Sequence, residues 1–356
     1  MNYGVRREDL LSAAKAKGAD CVLVASPVNV HYLTGLRTSN GALIVASQAT
    51  VLVTDARYLP KAREVCPEIP LELGRDVDAV LGPRIAEFGS GRVLFEDHVL
   101  TVERYRGLKA AAPRAEFIPG ERIVEGLRRV KSEEEIDLLR RACSISDQAL
   151  ADVLGQLRPG LSERWIAQAL TAAMFEHGAH GLAFEPIVAA GPNGASPHHA
   201  PGDRPVTRGD LVTMDFGASY GGYHADMTRT VALGSPSAWQ RDIYALVAEA
   251  QRTGISHARP DTDVRDVDAS ARNMITSAGY GEFFPHGFGH GVGLEIQEWP
   301  MLGYGRTGKL MDRVPITAEP GVYLTGRGGV RIEDTFVVRA DGPELLTTTT
   351  KDLLVL

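Results

Sequence analysis

One stretch constrains this chain more than any other: Asp210–Thr230, DLVTMDFGASYGGYHADMTRT. It reads as two short strands about a glycine turn. Side chains alternate along a strand, so Val212, Met214 and Phe216 share one face and Asp215 takes the other. In the second run His224, Asp226, Thr228 and Thr230 share a face. Between the runs, Ser219-Tyr220-Gly221-Gly222 supplies glycines that tolerate positive φ. With Tyr220-Gly221 as the two loop residues, Asp215 is expected directly opposite Asp226. Facing residues on one side of a hairpin have Cβ atoms about 4.5–5.5 Å apart. Two carboxylates that close repel unless a cation or a shared proton lies between them. Taken alone, the pair also fits a hairpin with two solvated acids.

Four later or flanking stretches supply partners. In HGFGHGVGLEIQE, His286 to Glu298, the histidines His286 and His290 have helical spacing, but Gly287, Gly289, Gly291 and Gly293 argue against a helix. A strand or tight loop presenting imidazoles is expected instead. In TAEPGVYL, Glu319 stands between an apolar strand and a Pro-Gly turn. In GGVRIEDTFVV, Val330, Ile332, Asp334 and Phe336 take one face, and Arg331, Glu333 and Thr335 the other. Pro197-His198-His199 lies in a Gly- and Pro-rich loop, Gly191–Asp203. Singly, these residues also fit core histidines, solvated glutamates and surface loop histidines. Together, Asp215, Asp226, His290, Glu319 and Glu333 form a set of four carboxylates and one imidazole. Hard oxygen ligands plus one nitrogen suit Mn²⁺, Fe²⁺ or Co²⁺ better than a thiolate-rich zinc site. Four negative charges balance two divalent ions, and a carboxylate-bridged pair about 3.5–4 Å apart would use the whole set.

The rest of the chain frames that set. A length of 356 residues favours two domains. The apolar content of 44% and charged content of 23% are those of a soluble globular protein. A net charge of −7 argues against nucleic-acid and anionic-membrane partners. No apolar run approaches the roughly 18 residues of a membrane span, and the N-terminus lacks a signal-peptide pattern. Cys21, Cys66 and Cys143 are scattered, as expected of reduced thiols in a cytoplasmic protein.

Helices alternate with short apolar strands up to about residue 120, which predicts an α/β N-terminal domain. Within it GALIVASQATVLVTD predicts a hairpin, and Asp55, Arg57 and Tyr58 form a structural or interface cluster rather than a site. Pro119-Gly120 punctuates the chain, and Ser132 with Glu135 forms a capping box. The division is placed at 1–124 and 125–356. Beyond it, the order helix, helix, strands occurs twice, an α+β pattern that hints at two similar halves.

The strings PHHAPGDR, GDLVTMDFGA, GYHADMTRTV, HGFGHGVGLE, AEPGVY and GVRIED resemble those of the M24 metallopeptidases. This family has the pita-bread fold and contains Xaa-Pro dipeptidase (prolidase) and aminopeptidase P. NVHYLTGL and LVTDARY resemble its creatinase-like N-terminal domain, so the likeness spans nearly the whole chain. The resemblance implies a homodimeric exopeptidase that cuts Xaa-Pro bonds with a metal-bridging hydroxide. Asp215 and Asp226 would bind one ion, with Asp226 bridging, His290 and Glu319 the other, and Glu333 would bridge both. Mn²⁺ is expected, with Co²⁺, Fe²⁺ or Zn²⁺ as alternatives. Glu319 would also shuttle a proton to the leaving amine, and His198 would donate to the developing gem-diolate. His286 and Arg331 would line the leaving-group side, Arg331 holding either a substrate carboxylate or a metal ligand. Tyr223 and Gln297 would join them against the short proline-containing peptide, and Thr228 would orient Asp226.

One departure stands out. The family usually carries histidine where this chain has Gln297, and glutamine cannot carry a proton. Rate and selectivity are affected by that change, not the ligand set. The leading expectation is a dipeptidase. Alternatives are aminopeptidase P, a creatinase-like or other amide hydrolase, and a non-catalytic peptide-binding relative.

Overall fold

In the computed structural model, which describes residues 1–88 and 91–356, the chain divides into two units, Met1–Arg128 and Arg129–Leu356. The first unit is built on strands β1 (Cys21–Val24), β2 (Gly41–Ala46), β3 (Thr50–Thr54), β4 (Leu71–Leu73), β5 (Arg92–Phe95) and β6 (Glu116–Pro119). Their spatial order is β4-β3-β2-β1-β5-β6. The central runs CVLV and ALIVA are buried at every position, the mark of a sheet covered on both faces. β2 and β3 form the expected hairpin, with Ile44 opposite Val51. Asp55 is consumed locally: Arg57 grips its two oxygens at 2.9 and 2.7 Å, and Asn40 donates to it at 2.8 Å. The helix Ile123–Arg128 belongs to this unit, so the chain leaves it after that helix rather than at residue 124.

In the second unit the capping box on Ser132 and Glu135 opens helix Glu133–Leu154, and Ser162 caps Glu163–Glu176. Strands β7 (Gly181–Leu182), β8 (Ile187–Ala190), β9 (Leu211–Phe216), β10 (Ala218–Tyr220), β11 (Tyr223–His224) and β12 (Met227–Ala232) follow. Then the order repeats. Helices Ala238–His257 and Val264–Ser277 precede β13 (Gly289–Gly291), β14 (Glu298–Leu302), β15 (Val314–Ala318), β16 (Gly321–Leu324), β17 (Gly328–Arg331) and β18 (Asp334–Val338). This is the α+β pattern expected of the second domain from the sequence.

Each helix pair covers one face of its own strands. Ile145, Leu150, Ile166 and Leu170 pack on Val212, Met214, Phe216 and Val231. Ile243, Val247 and Ile275 pack with Ile316, Val330, Ile332 and Phe336. Full burial of such a side chain stabilises by about 1.5–3 kcal/mol, so these apolar positions fix which way each strand faces. Strand alternation then turns Asp215, Arg331 and Glu333 away from the helices, towards one another.

The central hairpin differs from expectation in register. Tyr220 pairs with Tyr223, which makes Gly221-Gly222 the loop, with φ of +61° and +95°. Both positions of this turn need positive φ, and only that placement puts a glycine at each. Asp215 therefore pairs with Thr228, not with Asp226. The slip is an even number of residues, so Asp226 keeps Asp215's face and becomes its diagonal neighbour. Gly217 lies between the two acids. A Cβ there would meet the Ala225 carbonyl oxygen at 1.8 Å, so the strands approach closer than any side chain allows.

Candidate metal centre and active site

Five side chains from five elements or their ends converge. Asp226, His290 and Glu333 present ligand atoms within 4.8 Å of one another. His290 Nε2 lies 3.6 Å from Asp226 Oδ2 and 3.5 Å from Glu319 Oε1. Its Nδ1 faces the Gly291 carbonyl at 3.0 Å. Donation there leaves the Nε2 lone pair directed at the carboxylates. The Gly289 and Gly291 positions that flank His290 have no room for a Cβ, which would fall 2.1 Å from the Thr317 oxygen and 2.6 Å from the Trp299 oxygen. The glycine-rich string thus lets β13 sit tightly between its neighbours, as a strand and not a helix.

Asp215 is held from behind. Arg331 Nη2 donates to its Oδ2 at 2.6 Å, while Oδ1 is buried with no hydrogen-bond partner among the described residues. Burial, reinforced by the neighbouring acids, raises Asp226 and Glu333 well above ordinary carboxyl values. Burial likewise pushes Glu319 up to about 8. Burial of His290 lowers its affinity for a proton, which suits a neutral nitrogen ligand. An orphaned carboxylate oxygen, a neutral imidazole and mutually repelling acids form a donor set that divalent cations would complete.

Thr228 takes a different role from the expected one. Its hydroxyl donates to Glu333 Oε2 at 2.8 Å and accepts from Arg331 Nε at 3.1 Å, so it orients Glu333 rather than Asp226. The cause is the bridge that brings Thr228 beside Glu333. Arg331 is 3% exposed and also donates to Tyr323 Oη at 3.0 Å and the Pro197 carbonyl at 3.3 Å. Of its two expected roles, it is engaged as the holder of Asp215. Tyr323, which lies within AEPGVY but had no expected role, links Arg331 to His286 Nε2 at 2.8 Å. His286 Nδ1 faces the Gly287 carbonyl at 2.9 Å. Burial lowers His286 to about 4, so it is a neutral acceptor for the tyrosine hydroxyl.

A cavity of about 630 Å³ opens over the cluster. His198, His286, Gln297, Arg331 and the four acids of the cluster line it. Tyr223 does not. It is 1% exposed, and its hydroxyl donates to Glu135 at 2.7 Å, because its strand position has the opposite parity to Asp226. Two features escaped the sequence reading. Arg306 lines the cavity, its side chain exposed and without an ion-pair or hydrogen-bond partner among the described residues. By contrast, the neighbouring Arg272 is committed to Asp268 and to the carbonyls of Phe284 and His286. Beneath Gln297, Lys131 and Glu298 form a buried ion pair at 2.7 Å, with side chains 2% and 6% exposed. Glu298 Oε1 also accepts from the Glu295 amide at 3.1 Å, which braces the loop that carries Gln297.

Comparison with known proteins agrees with this geometry. The model of metallopeptidase family M24 matches residues 137–340, and that of the creatinase/prolidase N-terminal domain matches residues 6–130. The chain belongs to metallopeptidase family M24 and is a metal-dependent peptidase. It is 34% identical to a Xaa-Pro dipeptidase of Pyrococcus furiosus, over 98% of this chain and 99% of the relative. The structure of a Xaa-Pro dipeptidase from Bacillus anthracis matches with a TM-score of 0.96 and 36% identity, covering 100% of both chains. That of an X-Pro aminopeptidase from Thermotoga maritima matches with a TM-score of 0.91 and 33% identity, over 98% of this chain and 99% of that one. The α/β N-terminal domain and pita-bread catalytic domain expected from the sequence are therefore established.

Proposed function

We propose that this chain is a Xaa-Pro dipeptidase acting with two divalent ions, preferably Mn²⁺, held by Asp215, Asp226, His290, Glu319 and Glu333. The observation that carries the reading is the cluster of four acids and one neutral imidazole at the floor of a cavity whose wall holds Arg306, a cation without a side-chain partner among the described residues. The names of the relatives in both the dipeptidase and aminopeptidase groups support the Xaa-Pro specificity. When bound, a divalent pair supplies a water acidified to near-neutral pKa and a Lewis acid for the scissile carbonyl.

The chain's own residues do the rest. Glu319, with its side chain 21% exposed towards the cavity, is placed to take a proton and pass it to the leaving nitrogen. His198 is exposed on the cavity wall and offers a ring N–H to the oxygen that becomes negative. The chain Arg331 to Tyr323 to His286 fixes the neutral imidazole at the leaving-group side. Arg306 pairs with the C-terminal carboxylate of a dipeptide, a group that a longer peptide carries further away. Gln297 replaces a proton carrier with an amide, which restricts it to hydrogen bonding. A homodimer in the cytoplasm completes the reading. The three cysteines are buried and free, in keeping with a reducing compartment.

The test compares hydrolysis of a Xaa-Pro dipeptide with that of a tripeptide bearing Xaa-Pro at its N-terminus, using Mn²⁺-loaded wild type and Arg306→Met. The reading expects the dipeptide to be preferred and Arg306→Met to raise its KM with little change in kcat. Preference for the tripeptide would instead assign an aminopeptidase P.

A further inference from the structure

The loop that carries His198 is held by a carboxylate outside the cavity lining. Glu163 is the first residue of helix Glu163–Glu176 and is 0% exposed. Its Oε1 accepts from the Ala190 amide at 2.8 Å and from Asn193 Nδ2 at 2.9 Å. Its Oε2 accepts from His199 Nε2 at 2.8 Å and from the Gly202 amide at 3.1 Å. These partners bracket the loop at its start, near its middle and at its end, with His198 between the second and third. An ionised carboxylate offers about four lone-pair sites, so the four donors use its capacity in full.

This is more acceptor capacity than a helix terminus requires. Ser162 already caps the helix, accepting from the Trp165 amide at 3.1 Å. The backbone of Glu163 and Arg164 also meets Arg204 and Gly202 at 3.2 and 2.9 Å. The Glu163 side chain therefore leaves the helix-capping work to others and spends all its bonds on the loop. His199, the immediate neighbour of His198, is one of the four donors, so the Glu163 carboxylate sets the direction in which the His198 backbone leaves.

We propose that Glu163 is the positioning residue for His198: its carboxylate fixes the 190–202 loop so that the His198 ring is presented to the cavity. The inference rests on the reading of His198 as a group that faces the reacting carbonyl. In Glu163→Gln a donor NH₂ replaces one of the two acceptor oxygens while the volume is conserved, so with that NH₂ at the Oε2 position the Gly202 N–H loses its acceptor and His199 keeps a bond only by turning its Nε2 from donor to acceptor. Charge-assisted bonds from an ionised acceptor are about twice as strong as neutral ones, so the remaining pair weakens as well.

The experiment has two arms. In the first, ¹⁵N-histidine NMR of the full chain follows the His198 ring, assigned by its loss in His198→Ala, and amide exchange follows the 190–202 loop. Glu163→Gln is expected to shift the His198 ring signal and to speed exchange at Ala190 and Gly202. An unmoved ring signal overturns the proposal whatever the substrate is. In the second arm, Mn²⁺-loaded enzyme hydrolyses a Xaa-Pro dipeptide. Glu163→Gln is expected to lower kcat by about 10- to 100-fold, as for a misplaced catalytic group, with KM and bound metal unchanged. In a His198→Ala background the same substitution is expected to change kcat by less than about twofold, because residues acting as one unit are not additive. Equal losses in both backgrounds overturn the proposal and leave Glu163 a merely structural residue. A wild type that cuts no Xaa-Pro peptide sinks the functional reading, while the ring signal still decides this one. Should Glu163→Gln fail to fold, His199→Ala removes one bond at a partly exposed position. Its His198 ring signal then has to move for the proposal to stand.

Discussion

Gly217→Ala tests whether the spacing between Asp215 and Asp226 is set by backbone contact. The added Cβ would lie 1.8 Å from the Ala225 carbonyl oxygen and 2.7 Å from its carbon. Real Cβ contacts essentially never fall below 3.0 Å, so the two strands have to part by about 1.2 Å at this point. The neighbour is backbone, so no side-chain rotation relieves the contact. Gly217 lies outside the left-handed region, so alanine brings no φ strain, and the effect is steric. Overpacking of this kind costs typically about 1–3 kcal/mol of stability. Its larger effect is on geometry: a displacement of about 1 Å in a catalytic group lowers rate by roughly 10²-fold. The assay is kcat on a Xaa-Pro dipeptide together with metal titration followed by calorimetry. Gly209→Ala is the control. Gly209 has φ of +92°, and a Cβ there would meet no atom of the described residues within 4 Å. Alanine at that position therefore adds only backbone strain, about 1–2 kcal/mol. Its kcat and metal affinity are expected to match wild type. A folded Gly217→Ala enzyme that keeps kcat and metal affinity within about threefold of wild type would refute the reasoning, since a shift near 1 Å cannot be that mild.

Three further outcomes follow from the geometry. Thr228→Val removes the hydroxyl between Arg331 and Glu333 and is expected to weaken metal binding by about 10–100-fold, read by titration; unchanged affinity would detach Thr228 from the site. Lys131→Met leaves Glu298 buried without its cation and is expected to cost about 3–5 kcal/mol in urea unfolding, most of it recovered in Lys131→Met/Glu298→Met; a double variant no more stable than the single one would contradict this. The third concerns pH in the metal-free protein. Burial raises Glu319 from 4.5 to about 8, and Asp226 and Glu333 are raised too. Below the ordinary histidine value of 6.5 the lowered His286 and His290 oppose this trend; from 6.5 up to about 8 the folded state binds more protons than the unfolded one, so stability falls as pH rises through that window. Urea unfolding of the metal-free protein across that window checks the sign, and added Mn²⁺ is expected to release protons; rising stability would refute the assignment.

The proposed ligand set was legible because metal chemistry restricts residue type and strands restrict direction. Asp215 and Glu333 could be placed from alternation alone, since the apolar residues beside them have to face the helices. Even the wrong hairpin register preserved the result, because a slip of two residues returns every side chain to its own face. What the sequence concealed lies in contacts between distant segments. Thr228 meets Glu333 across 105 residues, and Lys131 meets Glu298 across 167. Neither partner carries a local pattern that names the other. Glu163 was hidden differently. Behind Ser162 it reads as an ordinary first-turn acid, favourable at a helix N-terminus, and nothing nearby reveals that its carboxylate faces the 190–202 loop. Arg306 sits in a segment without periodicity, so its exposure to the cavity followed only from the fold. The division is physical. Groups that would touch the metals must be particular residue types at particular strand positions and so leave a mark in sequence. Groups that aim them need only reach the right atom, and many sequences can supply such a reach. Selectivity in this enzyme is therefore to be sought in the braces beneath Gln297 and His198, the proposed substrate contacts, where local sequence says least and a substitution would redirect a contact without disturbing any proposed ligand.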